Sequence, residues 1–404
     1  MKQLPIRNIR IFTLSVLLLS IISCKTKSSA SAGQQWAASA LETAGQQYRF
    51  LAKETPPDRF PKTFEKGKLI TSSSDWWCSG FYPGTLLYLY KASGDPFFLK
   101  EAEKKLTVLE KEKNNKTTHD LGFMMFCSFG NAYKITSLPQ YQEVINTSSH
   151  SLISRFNPVT GTIRSWDAAP WNSQWKYPVI IDNMMNLEML LWAADHFRNP
   201  EFKAVALKHA ETTLKNHFRP DFSSYHVVSY DPETGKVEKK NTDQGYADGS
   251  AWARGQSWGL YGYTVMYRFT KKPEFLKQAQ GIADFILNHP NLPADKIPYW
   301  DFNDPSVPNA KRDASAGAVI ASALLELKTY VPKLKSRTYA QAAETMLKTL
   351  SSPEYLARNG ENGGFILRHS VGNMPDKTEV DVPLSYADYY YVEALLRYLG
   401  KSSY

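Results

Sequence analysis

The sequence contains very little cysteine, with three residues in a chain of 404. Cys24 ends an apolar N-terminal run, which leaves only Cys78 and Cys127 for the rest of the chain. Two cysteines in apolar and aromatic surroundings are more often buried thiols than a disulfide. No Cys/His spacing typical of a zinc site is present. The cysteine content therefore argues against a disulfide framework and against a zinc protein.

The sequence also lacks a basic cluster. The formal net charge of +9 includes three positive charges in the first 23 residues, which leaves about +6 for the remainder. A modest excess that is spread along the chain argues against nucleic-acid binding and is compatible with a small anionic substrate. Aromatic residues are plentiful by contrast, with ten Trp and 23 Tyr. Such side chains fill cores, and they also line sugar-binding sites.

A series of strand patterns is missing as well, which argues against a sheet domain. Short strands are predicted only at residues 223–230 and 364–368, inside loops. The length allows one large domain or two ordinary ones, with enough apolar residues for a sizeable core.

The N-terminus has the pattern of a bacterial export signal. Residues 1–23 combine Lys2, Arg7 and Arg10 with an apolar run that is too short for a comfortable membrane span. The run ends in Ile21-Ile22-Ser23-Cys24, which resembles a lipobox with Cys24 as the lipidated residue; the alternative is a chance cysteine. Residues 24–35 then form a predicted flexible tether. We expect a protein anchored by lipid at the cell envelope, either periplasmic or associated with the outer membrane.

Helical periodicity recurs through residues 36–404, in segments of two alternating kinds. One kind is rich in glycine, aromatics and methionine, and is predicted at residues 80–92, 122–135, 183–197, 256–269, 314–330 and 386–399. The other is amphipathic and rich in Lys and Glu, and is predicted at residues 36–55, 97–110, 141–155, 202–217, 275–288 and 339–350. Apolar helices must be buried and amphipathic helices can cover them, so the pattern predicts a single all-α domain with an inner and an outer ring.

The connections between the two kinds of helix differ. Inner-to-outer joins are short, and four of them place a proline at the start of the outer helix: Pro96, Pro139, Pro200 and Pro273. Proline suits this position because its missing N–H would be unpaired there anyway. Outer-to-inner joins are long and contain most of the unusual Asp, His, Trp and Arg residues. In an alternating ring these long joins share one end, so we expect function at that mouth.

Two aspartates open successive inner helices at this mouth. Asp182 follows the apolar run Val179-Ile180-Ile181, where a carboxylate is costly unless it is paired, hydrogen-bonded or used in function. The alternative is that Asp182 only caps the helix that follows. Asp120 opens the preceding inner helix. The two carboxylates can therefore face each other across a pocket and divide acid and base work.

Residues 244–259 are dense in glycine, tryptophan and polar groups. Arg254 can bind a carboxylate through two parallel hydrogen bonds, and Trp258 can stack on a sugar. The alternative is that this segment is only the packed start of an inner helix. His226 lies at a predicted strand edge, where a lone histidine is usually structural or at the surface.

Five motifs together resemble glycoside hydrolase family 88, the unsaturated glucuronyl hydrolases, over essentially all of the sequence after the signal peptide. They are WCSGFYPG (77–84), HDLGF (119–123), IDNMMN (181–186), AWARGQSWG (251–259) and DYYYVEAL (388–395). The resemblance implies an (α/α)6 barrel, in agreement with the twelve predicted helices. It also implies catalysis without a metal or organic cofactor.

The resemblance further implies roles for individual residues. Asp182 would be the general acid and base, with Asp120 assisting by position or charge. Four residues would contact the unsaturated uronate: His226, Gln244, Arg254 and Trp258. Two tryptophans would supply the walls of the sugar subsites: Trp166 and either Trp76 or Trp77.

The implied reaction is hydration of a vinyl ether rather than displacement at the anomeric carbon. Asp182 would protonate C4 of the C4=C5 bond, and water activated by the same residue would add at C5. The hemiketal would then open and release the neighbouring sugar. The implied substrate is a di- or oligosaccharide left by polysaccharide lyases acting on glycosaminoglycans. In some relatives Ser and Lys side chains bind sulfate; here Ser370 and Lys377 are the candidates, and the parent glycosaminoglycan is left open.

Two alternatives accompany this interpretation. The first is an unsaturated rhamnogalacturonyl hydrolase of the related family 105, which shares the barrel and the paired aspartates. His226 and the long segment 223–244 favour glucuronyl specificity. The second is a non-catalytic glycan-binding surface lipoprotein, which the carboxylate pair disfavours.

Overall fold

The computed structural model of the protein describes residues 34–402, together with Met1 and Gln3. The predicted lipidation site at Cys24, and nearly all of the predicted signal peptide and tether, lie outside these residues. Within the described part, no helix is both long enough and apolar enough to cross a membrane.

The described residues form twelve α-helices. They are α1 (Gln35–Glu54), α2 (Phe81–Ser93), α3 (Pro96–Leu109), α4 (Asn131–Thr136), α5 (Pro139–Ile153), α6 (Leu187–Phe197), α7 (Pro200–Asn216), α8 (Ala253–Thr270), α9 (Pro273–Asn288), α10 (Ala314–Leu327), α11 (Lys333–Leu350) and α12 (Ser385–Tyr398). A π-helix at Gly122–Gly130 runs directly into α4, and a 3-10 helix at Ile181–Asn186 runs directly into α6. The π-helix and the 3-10 helix each form the start of an inner helix.

The inner ring consists of α2, the π-helix with α4, α6, α8, α10 and α12, and it closes where α12 contacts α2. The six remaining helices cover its outside. Burial follows the two sequence patterns: every residue of α10 is buried, whereas α11 buries only one face. The fold is therefore an all-α (α/α)6 barrel, as predicted, with one core cluster that extends through its inner and outer helices.

Four inner-to-outer joins have the same two-residue construction. In each, a residue with positive φ ends the inner helix, and a second residue precedes the proline that begins the outer helix; the first residues are Gly94, Ser137, Arg198 and Lys271. Asp95 and Asn199 also cap the outer helix, because their side-chain oxygens accept the backbone N–H of Phe97 and Glu201. The four predicted proline starts are confirmed.

Nine short strands lie in the described part of the long joins. They are β1 (Phe60–Glu65), β2 (Lys68–Ser72), β3 (Phe156–Asn157), β4 (Thr162–Ile163), β5 (Pro178–Ile180), β6 (Val227–Tyr230), β7 (Val237–Asn241), β8 (Ser370–Asn373) and β9 (Thr378–Val382). All pair antiparallel: β1 with β2, β3 with β4, β6 with both β5 and β7, and β8 with β9. Of the strand predicted at 223–230, residues 227–230 are present as β6.

Of the strand predicted at residues 364–368, only an isolated antiparallel bridge between Leu367 and Leu356 is present. The backbone N–H groups of Ile366 and Leu367 instead donate to the two carboxylate oxygens of Asp388, at 2.9 Å each. Gly363 and Gly364 have φ of 65° and 89°, which interrupts an extended backbone just before this point. The buried Asp388 side chain thus takes two N–H groups, and the pairing with residues 355–357 is limited to this one bridge.

Candidate active site

Asp182 lies at the mouth of the barrel, where strand β5 ends and the 3-10 helix begins. The β5–β6 pairing places Ile180 opposite Val227, and the N–H of Ile181 donates to the carbonyl oxygen of His226 at 3.0 Å. A short strand, and not only a helix cap, therefore fixes Asp182 beside His226. The 3-10 geometry of residues 181–186 holds the carboxylate at the rim of the inner ring.

The Asp182 carboxylate is almost enclosed, with 13% of its side chain exposed. Burial raises its pKa to about 7, against the lowering effect of the Arg254 charge and with a further rise from the Asp120 charge. Its Oδ2 atom has no hydrogen-bond partner among the described residues. A carboxyl group with a pKa near neutrality can both donate and accept a proton under ordinary conditions.

His226 lies beneath Asp182, and its tautomer follows from its partners. Nδ1 accepts the backbone N–H of Asp243 at 3.1 Å and of Gln244 at 3.2 Å, so the ring proton must be on Nε2. Nε2 is 3.7 Å from Asp182 Oδ2. Burial keeps the pKa of His226 well below its usual value, so the ring is neutral.

The position of His226 differs from the predicted one. Its side chain has no exposed surface, whereas contact with a substrate requires some. The reason is that Trp252 covers the ring, at a centroid distance of 4.5 Å, while Trp166 meets it edge-on at 6.1 Å. In this structure His226 directs an N–H toward Asp182, and its contact with the uronate stays a prediction.

Asp120 lies in the turn before the π-helix. Its Oδ2 accepts the hydroxyl of Thr118 at 3.0 Å, and its Oδ1 is 3.3 Å from Nε2 of His119. The buried His119 donates Nδ1–H to the carbonyl of Ser165 at 2.8 Å, which fixes the orientation of its ring. The charge of Asp120 raises the pKa of Asp182, after the larger effect of burial. The structure therefore brings both predicted aspartates to one site.

Arg254 lies in the first turn of α8 and is fully enclosed. Its guanidinium donates to Gln244 Oε1 at 2.7 Å, to the carbonyl of Gly372 at 2.5 Å and to the carbonyl of Val371. Arg254 Nη1 is also 3.4 Å from Asp313 Oδ2. Arg254 and Gln244 are thus adjacent, as predicted for a shared site. Binding of a substrate carboxylate by Arg254 through two parallel hydrogen bonds stays a prediction, because these N–H groups already have protein acceptors.

The predicted tryptophans divide into three positions. Trp166 is half-buried and packs against Trp171 at a centroid distance of 5.2 Å, while Trp77 is half-buried against Tyr386 at 4.9 Å. Trp76 is 40% exposed, with the Lys62 ammonium 4.5 Å from its ring centroid. Trp166 and Trp77 are therefore both available as partly exposed walls.

Trp258 differs from its predicted position at the sugar surface. Its side chain has no exposed area and packs against Phe123 at a centroid distance of 5.2 Å. The helix explains this, because Trp258 is four residues after Arg254 and so lies one turn deeper on the same face. It forms the floor beneath the site, and sugar stacking by Trp258 stays a prediction that requires the side chains above it to move.

The sulfate candidates also separate. Ser370 is completely buried at the start of β8, whereas Lys377 is exposed in the turn between β8 and β9. Within the described residues, no group of three or more His, Cys, Asp or Glu side chains is arranged to hold a metal ion.

Two neighbours of Asp182 were not singled out from the sequence. Trp252 contacts the His226 ring, and the Arg254 guanidinium carbon is 4.6 Å from the Trp252 ring centroid. Asp243 supplies a backbone N–H to His226, and burial, followed by the charge of Asp376, raises the pKa of its carboxyl to about 6. Trp252 lies inside the AWARGQSWG motif, and Asp243 directly precedes Gln244. Their closeness in sequence to predicted site residues is the signal that could have identified them.

The structure combines a twelve-helix barrel with a carboxyl group at its mouth whose pKa is near neutrality. These two features define the general class, an (α/α)6-barrel enzyme with an acid–base site. The chain belongs to Glycosyl Hydrolase Family 88, whose family model matches residues 54–398. It is a glycoside hydrolase.

Three relatives are similar over most of their length. An unsaturated glucuronyl hydrolase of Formosa agariphila is 46% identical over 323 residues, covering 80% of this chain and 79% of the relative. An unsaturated chondroitin disaccharide hydrolase of Streptococcus pyogenes is 32% identical, covering 84% of each chain. The solved structure of an unsaturated glucuronyl hydrolase specific for heparin is 49% identical with a TM-score of 0.88, covering 91% of this chain and 97% of that one.

Proposed function

We propose that the protein removes the 4,5-unsaturated uronic acid from the non-reducing end of glycosaminoglycan oligosaccharides produced by lyases. The observation that carries this proposal is the Asp182 carboxyl, whose pKa is raised to about 7 by burial, at the barrel mouth of a family 88 chain. The names of the relatives, unsaturated glucuronyl hydrolases and unsaturated chondroitin disaccharide hydrolases, support the substrate class.

Asp182 acts in both steps of the proposed reaction. Protonated Asp182 donates to C4 of the C4=C5 bond, and positive charge develops at C5, where the ring oxygen stabilises it. The resulting carboxylate then takes a proton from the water that adds at C5, which restores the acid. The hemiketal opens and the neighbouring sugar leaves. The neutral Nε2–H of His226, 3.7 Å away, favours the carboxylate formed after the first step.

Heparin-derived disaccharides are the first substrates to test. The heparin-specific relative is 49% identical, whereas the chondroitin disaccharide hydrolase of Streptococcus pyogenes is 32% identical. The burial of Ser370 also leaves only Lys377 of the two predicted sulfate contacts accessible. We therefore expect faster turnover of unsaturated heparin disaccharides than of unsaturated chondroitin disaccharides.

The test is loss of ultraviolet absorbance by the C4=C5 bond in unsaturated disaccharides from heparin, chondroitin and rhamnogalacturonan. We expect loss with a glycosaminoglycan disaccharide, no turnover by Asp182→Asn, and full turnover by Asp58→Asn, which changes an exposed carboxylate that is not among the charges acting on Asp182. Preference for rhamnogalacturonan would support the family 105 alternative. Binding without absorbance loss would support a glycan-binding protein instead.

We also propose that Cys24 is acylated and holds the protein at the cell envelope. The support is the sequence pattern alone, an apolar leader followed by Ile21-Ile22-Ser23-Cys24. Expression with labelled palmitate checks this proposal: the full chain is labelled and stays with the membrane fraction, and Cys24→Ser is unlabelled. Cys78→Ser is the matched control, because that buried thiol is not a lipidation site.

A further inference from the structure

Two buried histidines belong to the outer helix α7 and to the residue that follows it. His209 lies in α7 (Pro200–Asn216), and His217 directly follows the last residue of that helix. Both side chains are completely buried. A histidine in such a position costs free energy relative to an apolar side chain unless its ring forms hydrogen bonds. The bonds that the two rings form therefore indicate why histidine is present at both positions.

His217 is bonded to strand β5. Its Nε2–H donates to the backbone carbonyl oxygen of Val179 at 3.0 Å, since a carbonyl oxygen can only accept. Val179 is the middle residue of β5 and is itself completely buried. Asp182 follows Val179 by three residues. The hydrogen bond from His217 therefore acts on the strand that leads directly into Asp182.

His209 is bonded to strand β4. Its Nδ1 accepts the backbone N–H of Ile163 at 3.0 Å. The carbonyl oxygen of the same Ile163 accepts the side-chain amide of Asn183 at 2.9 Å. Asn183 is completely buried and is the residue directly after Asp182. Ile163 therefore connects His209 to the chain on the other side of Asp182.

Both rings are neutral. An imidazolium at His209 would carry a proton on Nδ1, in place of the lone pair that accepts a backbone N–H. An imidazolium at His217 would bury an Nδ1–H that has no acceptor among the described residues. Burial lowers the pKa of His209 to about 3, and the nearby His217 and His119 lower it further. Burial also lowers the pKa of His217 to about 4, against the raising effect of its bond to Val179 and with a further decrease from Lys240. The two hydrogen bonds therefore persist throughout the neutral pH range.

We propose that His209 and His217 are positioning residues for Asp182, which they hold at the barrel mouth through β4 and β5. One hydrogen bond acts on the strand before Asp182, and the other acts on the residue after it. The inference rests on the proposed function, since it assigns to the outer helix α7 the placement of the group that protonates C4. Displacement of a catalytic group by about 1 Å can lower the rate about a hundredfold, so kcat should depend on both bonds.

The kinetic test uses amide side chains that replace one ring nitrogen at a time. The amide of Gln extends about as far from the backbone as Nε2 of histidine, and the amide of Asn about as far as Nδ1. His217→Gln and His209→Asn should therefore keep their hydrogen bonds and retain kcat within about threefold. His217→Asn and His209→Gln should lose these bonds and lower kcat by about tenfold or more, with a smaller change in KM, because Asp182 acts in the chemical step.

The two pairs of variants contain the same residue types, so polarity and loss of the ring are matched between them. His150→Gln, at an exposed histidine of the outer helix α5, should leave kcat unchanged. A kcat that is equal in the two pairs, or lower in the pair that keeps the bonds, would overturn the proposal. A change confined to KM would overturn it as well.

Hydrogen exchange tests the positioning without substrate, so its result is independent of the proposed function. We expect the backbone amides of residues 178–187 to exchange at least about tenfold faster in His217→Asn than in His217→Gln, with unchanged exchange in α10. Equal exchange in the two variants would contradict the proposal. The expected exchange pattern in a protein that hydrates no unsaturated disaccharide would support the positioning of Asp182 and overturn the proposed function alone.

Discussion

The pKa of Asp182 depends mainly on burial and on the charges of Arg254 and Asp120. Burial raises it to about 7, the Arg254 charge opposes that rise, and the Asp120 charge adds to it. Since the protonated form must deliver a proton to C4, the acid form has to persist up to neutral pH. The surrounding charges therefore set the pH range of the proposed reaction.

We expect Asp120→Asn and Arg254→Met to shift the pH profile in opposite directions. Loss of the Asp120 charge lowers the pKa of Asp182, so the fall of kcat/KM at alkaline pH should begin about one pH unit lower. Loss of the Arg254 charge raises that pKa, so the same fall should begin at higher pH. The measurement is kcat/KM for an unsaturated disaccharide across pH, with Asp58→Asn as control. Shifts in the same direction would contradict this electrostatic account.

At the scale of elements, the site depends on a close contact between two unusual helices. The π-helix that follows Asp120 touches the 3-10 helix that contains Asp182, because Gly122 has no side chain at the crossing. A Cβ on Gly122 would lie 2.4 Å from the Cα of Asn186. Asn186 Oδ1 also accepts the N–H of Phe123 at 3.0 Å. These two contacts set the spacing of the aspartates.

Gly122→Ala is therefore expected to lower kcat by about a hundredfold, because displacement of one carboxylate by about 1 Å can have that effect. Overpacking should also reduce the free energy of unfolding by about 1–3 kcal/mol. Gly45→Ala is the matched control: it also lies in a helix, and its Cβ would lie 3.3 Å from Phe98, on the outer ring. Steady-state kinetics and urea unfolding measure both effects. Unchanged kcat in Gly122→Ala would show that the crossing does not set the spacing.

At the scale of the whole molecule, the inner ring is held by charge as well as by apolar packing. Glu326 on α10 has no exposed side-chain surface and lies between Arg268 of α8 and Arg397 of α12. Three adjacent inner helices thus meet at one carboxylate. Removing one partner of a buried ion pair leaves the other charges uncompensated.

Glu326→Gln should reduce the free energy of unfolding by about 3–5 kcal/mol. Glu344→Gln removes a carboxylate that pairs with Lys348 at 2.7 Å on the exposed face of α11, and should cost less than about 0.5 kcal/mol. Urea unfolding curves at neutral pH compare the two variants. A similar loss in both would mean that the buried network does not stabilise the barrel.

Most of the barrel could be predicted from the sequence because its helices are long and their two patterns are distinct. The inner-helix pattern at 314–330 and the outer-helix pattern at 275–288 correspond to α10 and α9 within a few residues. The sequence could not show that the strand predicted at 364–368 is reduced to one bridge, since two of its N–H groups bind Asp388, which is about twenty residues away in the chain. Local pattern holds no information about a partner that only the fold brings near.

The sequence by itself determined the two rings, the common mouth and the presence of two aspartates there, because helical periodicity and chain alternation are local properties. Only the tertiary structure decided what each side chain reaches. It buried His226 and Trp258 below the surface, turned Nε2–H of His226 toward Asp182, and committed the Arg254 N–H groups to carbonyl oxygens from β8. The physical reason is that burial and pKa depend on atoms from distant segments, whose positions follow from packing.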